Sequence, residues 1–320
     1  TPLPFVVFGW IEHLFHAGIS AARFFNLFLS FTIVCMIGLR KGRSTSSSVL
    51  SVIGILSFPY FIGASVHLYT DIIAAFFAVL GVAAHQRRSY YLAAAFFILG
   101  IACRQYILAF PAAIVAHEVI HFCRGGELRI AAVAASCVAA SSIFGWYIFF
   151  GGPAPEPAIR AQAIVTADMF RVFPDHSLYF LSTVGAYFVL PEAVLFRRLP
   201  SLPSQKQTLL IAVIVAALFL FFPPLTNTSS FPTMGFMDKA AHLFLPDLIR
   251  LLLFFALALI TCIRFHCPSL TAFLVYLNAA IMIKAHLAWD KYTLPLLVVL
   301  WFVGSRNSVQ AAQKATHVGA

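Results

Sequence analysis

Apolar runs of roughly 15 to 22 residues recur from one end of the chain to the other, separated by short polar breaks, and this pattern limits the fold more than any other feature. Runs of that length suit helices that cross a bilayer, because only a helix or a closed barrel satisfies its backbone N–H and C=O groups inside lipid. A transmembrane barrel would show segments of about ten residues with alternating polarity, and the sequence has none. Charged residues make up 10% of the 320, against about 25% in soluble domains. Mean hydropathy is +0.92. The expected fold class is all-α, a polytopic transmembrane helical bundle of about eleven spans, forming a single membrane domain over residues 1–304.

Residues 4–16 carry Glu12, His13 and His16 and are too short for a comfortable span, so the segment 1–17 is expected to lie on the membrane as an interfacial helix. Spans follow at about 19–39, 49–66, 71–85, 90–103, 106–122 and 129–150, then 178–196, 207–223, 246–264, 268–284 and 287–304. Threaded alternately, they put Arg87/Arg88, Arg124/Arg129, Arg197/Arg198/Lys206, Arg264 and Arg306 on the same side as Arg40. That side is cytoplasmic by the positive-inside rule, and the tail 305–320 joins it. The other face receives the long loops 151–177 and 224–245, together with Glu12, Asp71, Glu156, Asp168, Asp175, Asp238, Asp247 and Asp290. The net charge of +10 is thus a topology signal, and no nucleic-acid partner is implied. The six cysteines lack metal-ligand spacing and read as buried or lipid-facing thiols. The chain starts without an initiator Met or a basic leader, which is read as a start inside a longer protein.

Residues 65–111 stand out within this frame. Two short apolar spans carry Asp71 at one end and Arg104 at the other, with His85-Gln86-Arg87-Arg88 between them. If both cross the bilayer, Asp71 and Arg104 meet on the face opposite the basic turn. Ionisable groups at membrane depth are costly and mark functional sites by default. Two further mixed clusters fall on the same face. Asp238, Lys239 and His242 stand just before one span, and Asp290, Lys291 and Tyr292 at the mouth of the last. Cations there suit a phosphate and aromatic rings suit a sugar; interfacial anchoring is the bland alternative for the second cluster.

His117-Glu118-Val119-Ile120-His121 matches His-Glu-x-x-His, which on a helix sets two histidines on one face as zinc ligands with a glutamate base. No third ligand segment follows, and the motif sits beside Arg124 and Arg129 at the cytoplasmic end of its span, so no metal is assigned. Gly151-Gly152-Pro153 lacks the lysine of a phosphate-binding loop and reads as a rigid lead into the long loop.

Several segments in this order resemble the GT-C superfamily of multispanning glycosyltransferases, which use polyprenyl-phosphate sugars. The nearest resemblance is to the dolichyl-phosphate-glucose alpha-1,2-glucosyltransferase family. Thr1-Pro2-Leu3-Pro4-Phe5 resembles its Thr-Pro-Pro-Gly-Leu-Tyr, and Arg23-Phe24-Phe25-Asn26 its Arg-Leu-x-Asn. Leu68-Tyr69-Thr70-Asp71 is similar to Tyr-Tyr-Thr-Asp, and Arg104-Gln105-Tyr106-Ile107 to Arg-Gln-Thr-Asn-Ile. Asp290-Lys291-Tyr292 through Pro295 resembles the terminal Arg-Tyr segment. The family's Gly-Asp-Lys-Ser-Asn-His is replaced near residues 151–165 by a proline-rich stretch, and its catalytic Asp belongs to a loop ahead of Thr1.

The resemblance implies a membrane glycosyltransferase moving a hexose, glucose by preference, from a polyprenyl or dolichyl phosphate to a lipid-linked acceptor. It would work without a cofactor, in the endoplasmic reticulum of a eukaryote or otherwise the plasma membrane. Asp71 and Asp238 are the candidate catalytic carboxylates. Tyr69, Arg104, Gln105, Lys239, His242, Asp290, Lys291 and Tyr292 are the candidate substrate contacts. The alternatives are a non-catalytic subunit of a larger membrane complex, an intramembrane zinc protease built on His117, Glu118 and His121, and, more weakly, a transporter, for which no inverted repeat is evident.

Overall fold

A computed structural model describes residues 2–39, 44–152, 171–197, 203–224, 235–285 and 287–304. All the secondary structure among these residues is helical. The chain runs through α1 (Leu3–Phe15), α2 (Ile19–Gly38), α3 (Thr45–Leu56), α4 (Pro59–Val66), α5 (Asp71–Gln86), α6 (Tyr90–Cys103), α7 (Ala109–Cys123) and α8 (Ile130–Phe150). It continues through α9 (Pro174–Phe196), α10 (Gln205–Phe221), α11 (Phe236–Phe244), α12 (Asp247–Arg264), α13 (Leu270–Met282) and α14 (Leu294–Gly304). Single 3-10 turns, Gln105–Leu108 and Asp290–Thr293, lead into α7 and α14.

Local chemistry sets several of these ends. Ser44 caps α3 by accepting from the Ser47 amide, and Ser204 with Gln207 forms a capping box on α10. Pro59 fits the first position of α4, where no N–H is needed, and holds Phe58 extended. The consequence is a 75° bend between α3 and α4. The stretch 49–66, expected as one straight span, is two helices.

The centre of the bundle is α14. Every residue from Leu294 to Val303 is buried, as expected of a helix that is apolar on all sides. It packs against α5, α3, α13 and α2. Small residues permit close packing here: a Cβ on Gly54 of α3 would fall 2.4 Å from the Trp301 ring of α14, and one on Gly81 of α5 would fall 2.5 Å from Phe97 of α6. On another side α9 crosses α12 at Gly185, where a Cβ would come within 2.2 Å of the Leu257 carbonyl oxygen. Ser182 donates to the Phe254 carbonyl and Thr261 to that of Leu181 beside the crossing. Close approach over a small residue, tied by hydroxyl bonds, is a packing device of helices in lipid. A π-turn, Gly185–Val189, interrupts α9 at this place.

Among the described residues four helices are long and apolar enough to cross a membrane: α2, Gln105–Cys123, α8 and α9; the bent pair α3–α4 makes a fifth. Others are apolar but shorter, among them α5, α6, α10 and α13. α12 has the length but carries Asp247, Arg250 and Arg264. The helical, apolar character of the expected bundle holds, and it is compatible with an integral membrane protein. By length alone four or five helices qualify as spans, where about eleven were expected. The expected loop 224–245 contains α11. Residues 153–170, with Glu156 and Asp168, and the tail 305–320 lie outside the described residues.

Candidate functional site

The hairpin α5–α6 builds the first half of the site. Its helices have 16 and 14 residues, about 24 and 21 Å at 1.5 Å per residue, so the start of α5 and the end of α6 come level. Asp71 opens α5 and Arg104 follows α6 in extended backbone. Arg104 Nη2 donates to Asp71 Oδ2 at 2.8 Å, and the Tyr106 hydroxyl donates to Oδ1 at 2.9 Å. Asp71 is buried, whereas 26% of the Arg104 side chain stays exposed. Burial opposes the Arg104 charge, and Asp71 and Tyr106 more than offset it, so the guanidinium is held above its ordinary value.

The second half comes from the turn ahead of α14. Lys291 Nζ stands 3.8 Å from the centroid of Trp289, 5.6 Å from Tyr292 and 5.9 Å from Tyr69, within cation–π range of all three rings. Trp289 stacks on Tyr292, which meets the Tyr106 ring edge-on at 5.6 Å. Asp71 and Arg104 both act electrostatically on Lys291. The loop bearing Tyr69 is pinned from below: buried Asn26 donates through Nδ2 to the carbonyls of His67 and Tyr69, both at 2.9 Å. Two cations, one carboxylate and four aromatic rings therefore gather at one end of the bundle. No family model matches the chain, and neither a curated protein nor a solved structure matches it.

The remaining candidate residues divide between this cluster and a second one. Gln105 follows Arg104 and is half-buried. Asp290 precedes Lys291 but turns the other way. It is fully buried and accepts from the Tyr179 and Tyr187 hydroxyls and the Met237 amide. Gly235 is obligatory beside it, since a Cβ there would overlap Asp290 Oδ1. Asp238 faces Arg250 at 3.5 Å, each side chain 1% exposed. Arg250 also bonds His242 at 2.8 Å and Asp247 at 3.0 Å. Lys239 lies on the exposed side of α11. Asp238, His242 and Arg250 thus tie α11 to α12, and Asp290 ties the α14 turn to α9 and α11. These bonds leave Asp71, Arg104, Lys291 and the rings around them as the open cluster.

At the other end of α5 the His-Glu-x-x-His residues lie on α7. His117 and His121 stack at 6.4 Å, but Glu118 is fully buried, 3.5 Å from His117 and 3.6 Å from Arg129. Among the described residues no group of three His, Cys, Asp or Glu could hold a metal ion. Glu118 is enclosed between His117 and Arg129.

Several residues of the two clusters escape a reading of the sequence. Tyr106 stands two residues after Arg104 and resembles any aromatic at a span end. Trp289 looks like an interfacial anchor. Arg250 carries a visible signal, the i,i+3 spacing from Asp247. Tyr179 and Tyr187 carry none, because their shared partner is more than a hundred residues away.

Proposed function

We propose that the protein is a membrane glycosyltransferase that moves a hexose from a polyprenyl phosphate to a lipid-linked acceptor, working at the face that carries Asp71, Arg104 and Lys291. In that proposal the chain threads the bilayer about eleven times, the shorter apolar helices included, with its basic turns in the cytoplasm. The observation that carries it is the pairing of an open, carboxylate-anchored guanidinium with a lysine held against three aromatic faces. Arg104 and Lys291 meet the departing phosphate and spread its developing charge. The rings of Tyr69, Trp289 and Tyr292 stack on the hexose. The acceptor oxygen attacks the anomeric carbon, the bond to the phosphate oxygen breaks, and the hydroxyl proton passes to a general base. Both Asp71 oxygens already accept hydrogen bonds, so Asp71 is given the task of aiming Arg104.

The test is transfer from dolichyl phosphate glucose by the purified full chain in proteoliposomes. Arg104→Lys, which keeps a cation beside buried Asp71, and Lys291→Ala should each lose about 10- to 100-fold, the worth of one charge-assisted contact, at unchanged expression. Equal activity in both variants and the parent overturns the assignment. A non-catalytic subunit of a membrane complex is the second reading, favoured by the saturation of Asp71; it is indicated if the chain alone transfers nothing while co-purifying with partner subunits.

A further inference from the structure

The end of the hairpin opposite Asp71 holds an open cavity of about 550 Å³ lined by Arg88, Tyr90, His121, Glu127, Arg129 and Ile130. α5 and α7 end there, and α6 and α8 begin. Its lining carries two guanidiniums and one carboxylate. Arg129 is 41% exposed, and Glu118 behind it stands at 3.6 Å, too far for a hydrogen bond. Glu118 therefore steadies Arg129 from the protein side without taking up its donors. Arg88 is exposed on the turn between α5 and α6.

Two further features of the same place favour an anion with an apolar tail. The residues at the N-cap positions of α6 and α8, Ser89 and Arg129, make no side-chain cap, so the positive ends of two helices add to the Arg charges. The flank of these helices beside the cavity is apolar and open: Tyr91 is 84% exposed, Leu92 51% and Ile130 72%. A soluble anion would use the first feature alone. We propose that this cavity binds the phosphate of a phospholipid headgroup, with Arg88 and Arg129 on the anion and the exposed flank of α6 and α8 along the acyl chains. This site is separate from the Asp71 cluster, and its standing does not depend on glycosyl transfer.

The experiment follows thermal unfolding of the full chain in detergent micelles titrated with dioleoyl phosphatidylglycerol, or with inorganic phosphate at equal concentration. Native mass spectrometry counts retained lipid in parallel. Phosphatidylglycerol should raise the unfolding temperature by about 1–2 °C, the shift of roughly 1 kcal/mol in a chain of 320 residues. Arg88→Glu and the milder Arg88→Gln should abolish both the shift and the lipid adducts, while Arg87→Glu, an equal change of charge one residue away, should keep them. Stabilisation by inorganic phosphate equal to that by the lipid would overturn the headgroup assignment in favour of a soluble phosphate. Loss of the effect in Arg87→Glu to the same degree as in Arg88→Glu, or retention of it in both Arg88 variants, overturns the site.

Discussion

Two of the aspartate–arginine pairs among the described residues are built for opposite ends. Asp238 and Arg250 are both 1% exposed and stand 3.5 Å apart, with Arg250 shared among Asp238, Asp247 and His242. Asp71 and Arg104 meet at 2.8 Å, but Arg104 keeps a quarter of its side chain open beside Lys291. A sealed pair is spent on holding helices together, because both charges have already lost their water. A pair with one buried and one accessible member leaves a fixed, oriented cation for something else to bind. Charge content alone does not separate these cases; burial on the cation side does.

The largest expected effect belongs to the sealed pair. Arg250→Leu removes the buried guanidinium that faces the Asp238 carboxylate and should cost about 3–5 kcal/mol, seen as loss of folded protein on size exclusion. The double variant Asp238→Leu/Arg250→Leu should recover part of it. Recovery that fails would mean that Arg250 acts mainly through His242 and Asp247. At the open pair Arg104→Lys should keep the fold and lower transfer about tenfold, since an ammonium cannot reproduce the fork of donors. A similar loss of stability in Arg104→Lys and Arg250→Lys would erase the distinction between the pairs. Tyr106→Phe removes one bond to Asp71 and should lower stability by about 0.5–1.5 kcal/mol, with a smaller effect on transfer than Arg104→Lys. Lys291→Met should change unfolding least, by about 1 kcal/mol or less, because a half-open cation over aromatic faces contributes little to the fold; transfer should nevertheless fall.

The helical class and the meeting of Asp71 with Arg104 are legible in the sequence because both rest on local periodicity. Apolar runs count out helix lengths, and two runs of nearly equal length on either side of a short turn bring their outer ends level. The bend after Leu56 is legible afterwards in Pro59, but a run of apolar residues hides it, since hydropathy is blind to direction. What Asp238 and Asp290 do was hidden for a different reason. Each looks like its neighbour, an acid beside a cation at the end of an apolar run. Their partners, Arg250 in one case and Tyr179 and Tyr187 in the other, are selected by packing between α9, α11, α12 and the α14 turn. The His117-Glu118-x-x-His121 motif is the converse, a legible pattern whose central glutamate is taken up by Arg129 across a turn.

The π-turn in α9 has a consequence for the phase of everything after it. In a regular helix, residues eight apart differ by about 80° around the axis, so Tyr179 and Tyr187 would face different neighbours. One surplus residue in the wider turn brings that difference to about 20°, and both hydroxyls reach the same carboxylate of Asp290. The same offset sets the direction of Glu192, which closes a two-bonded pair with Arg264 at the far end of α12. α9 thus works like a shaft with a key cut part-way along it. Removing a single residue between Gly185 and Val189 would turn the wide turn into an ordinary one and leave Tyr187 and Glu192 facing as they do, whereas regularising the turn with all five residues kept would rotate the downstream half by about 100° and unhook both.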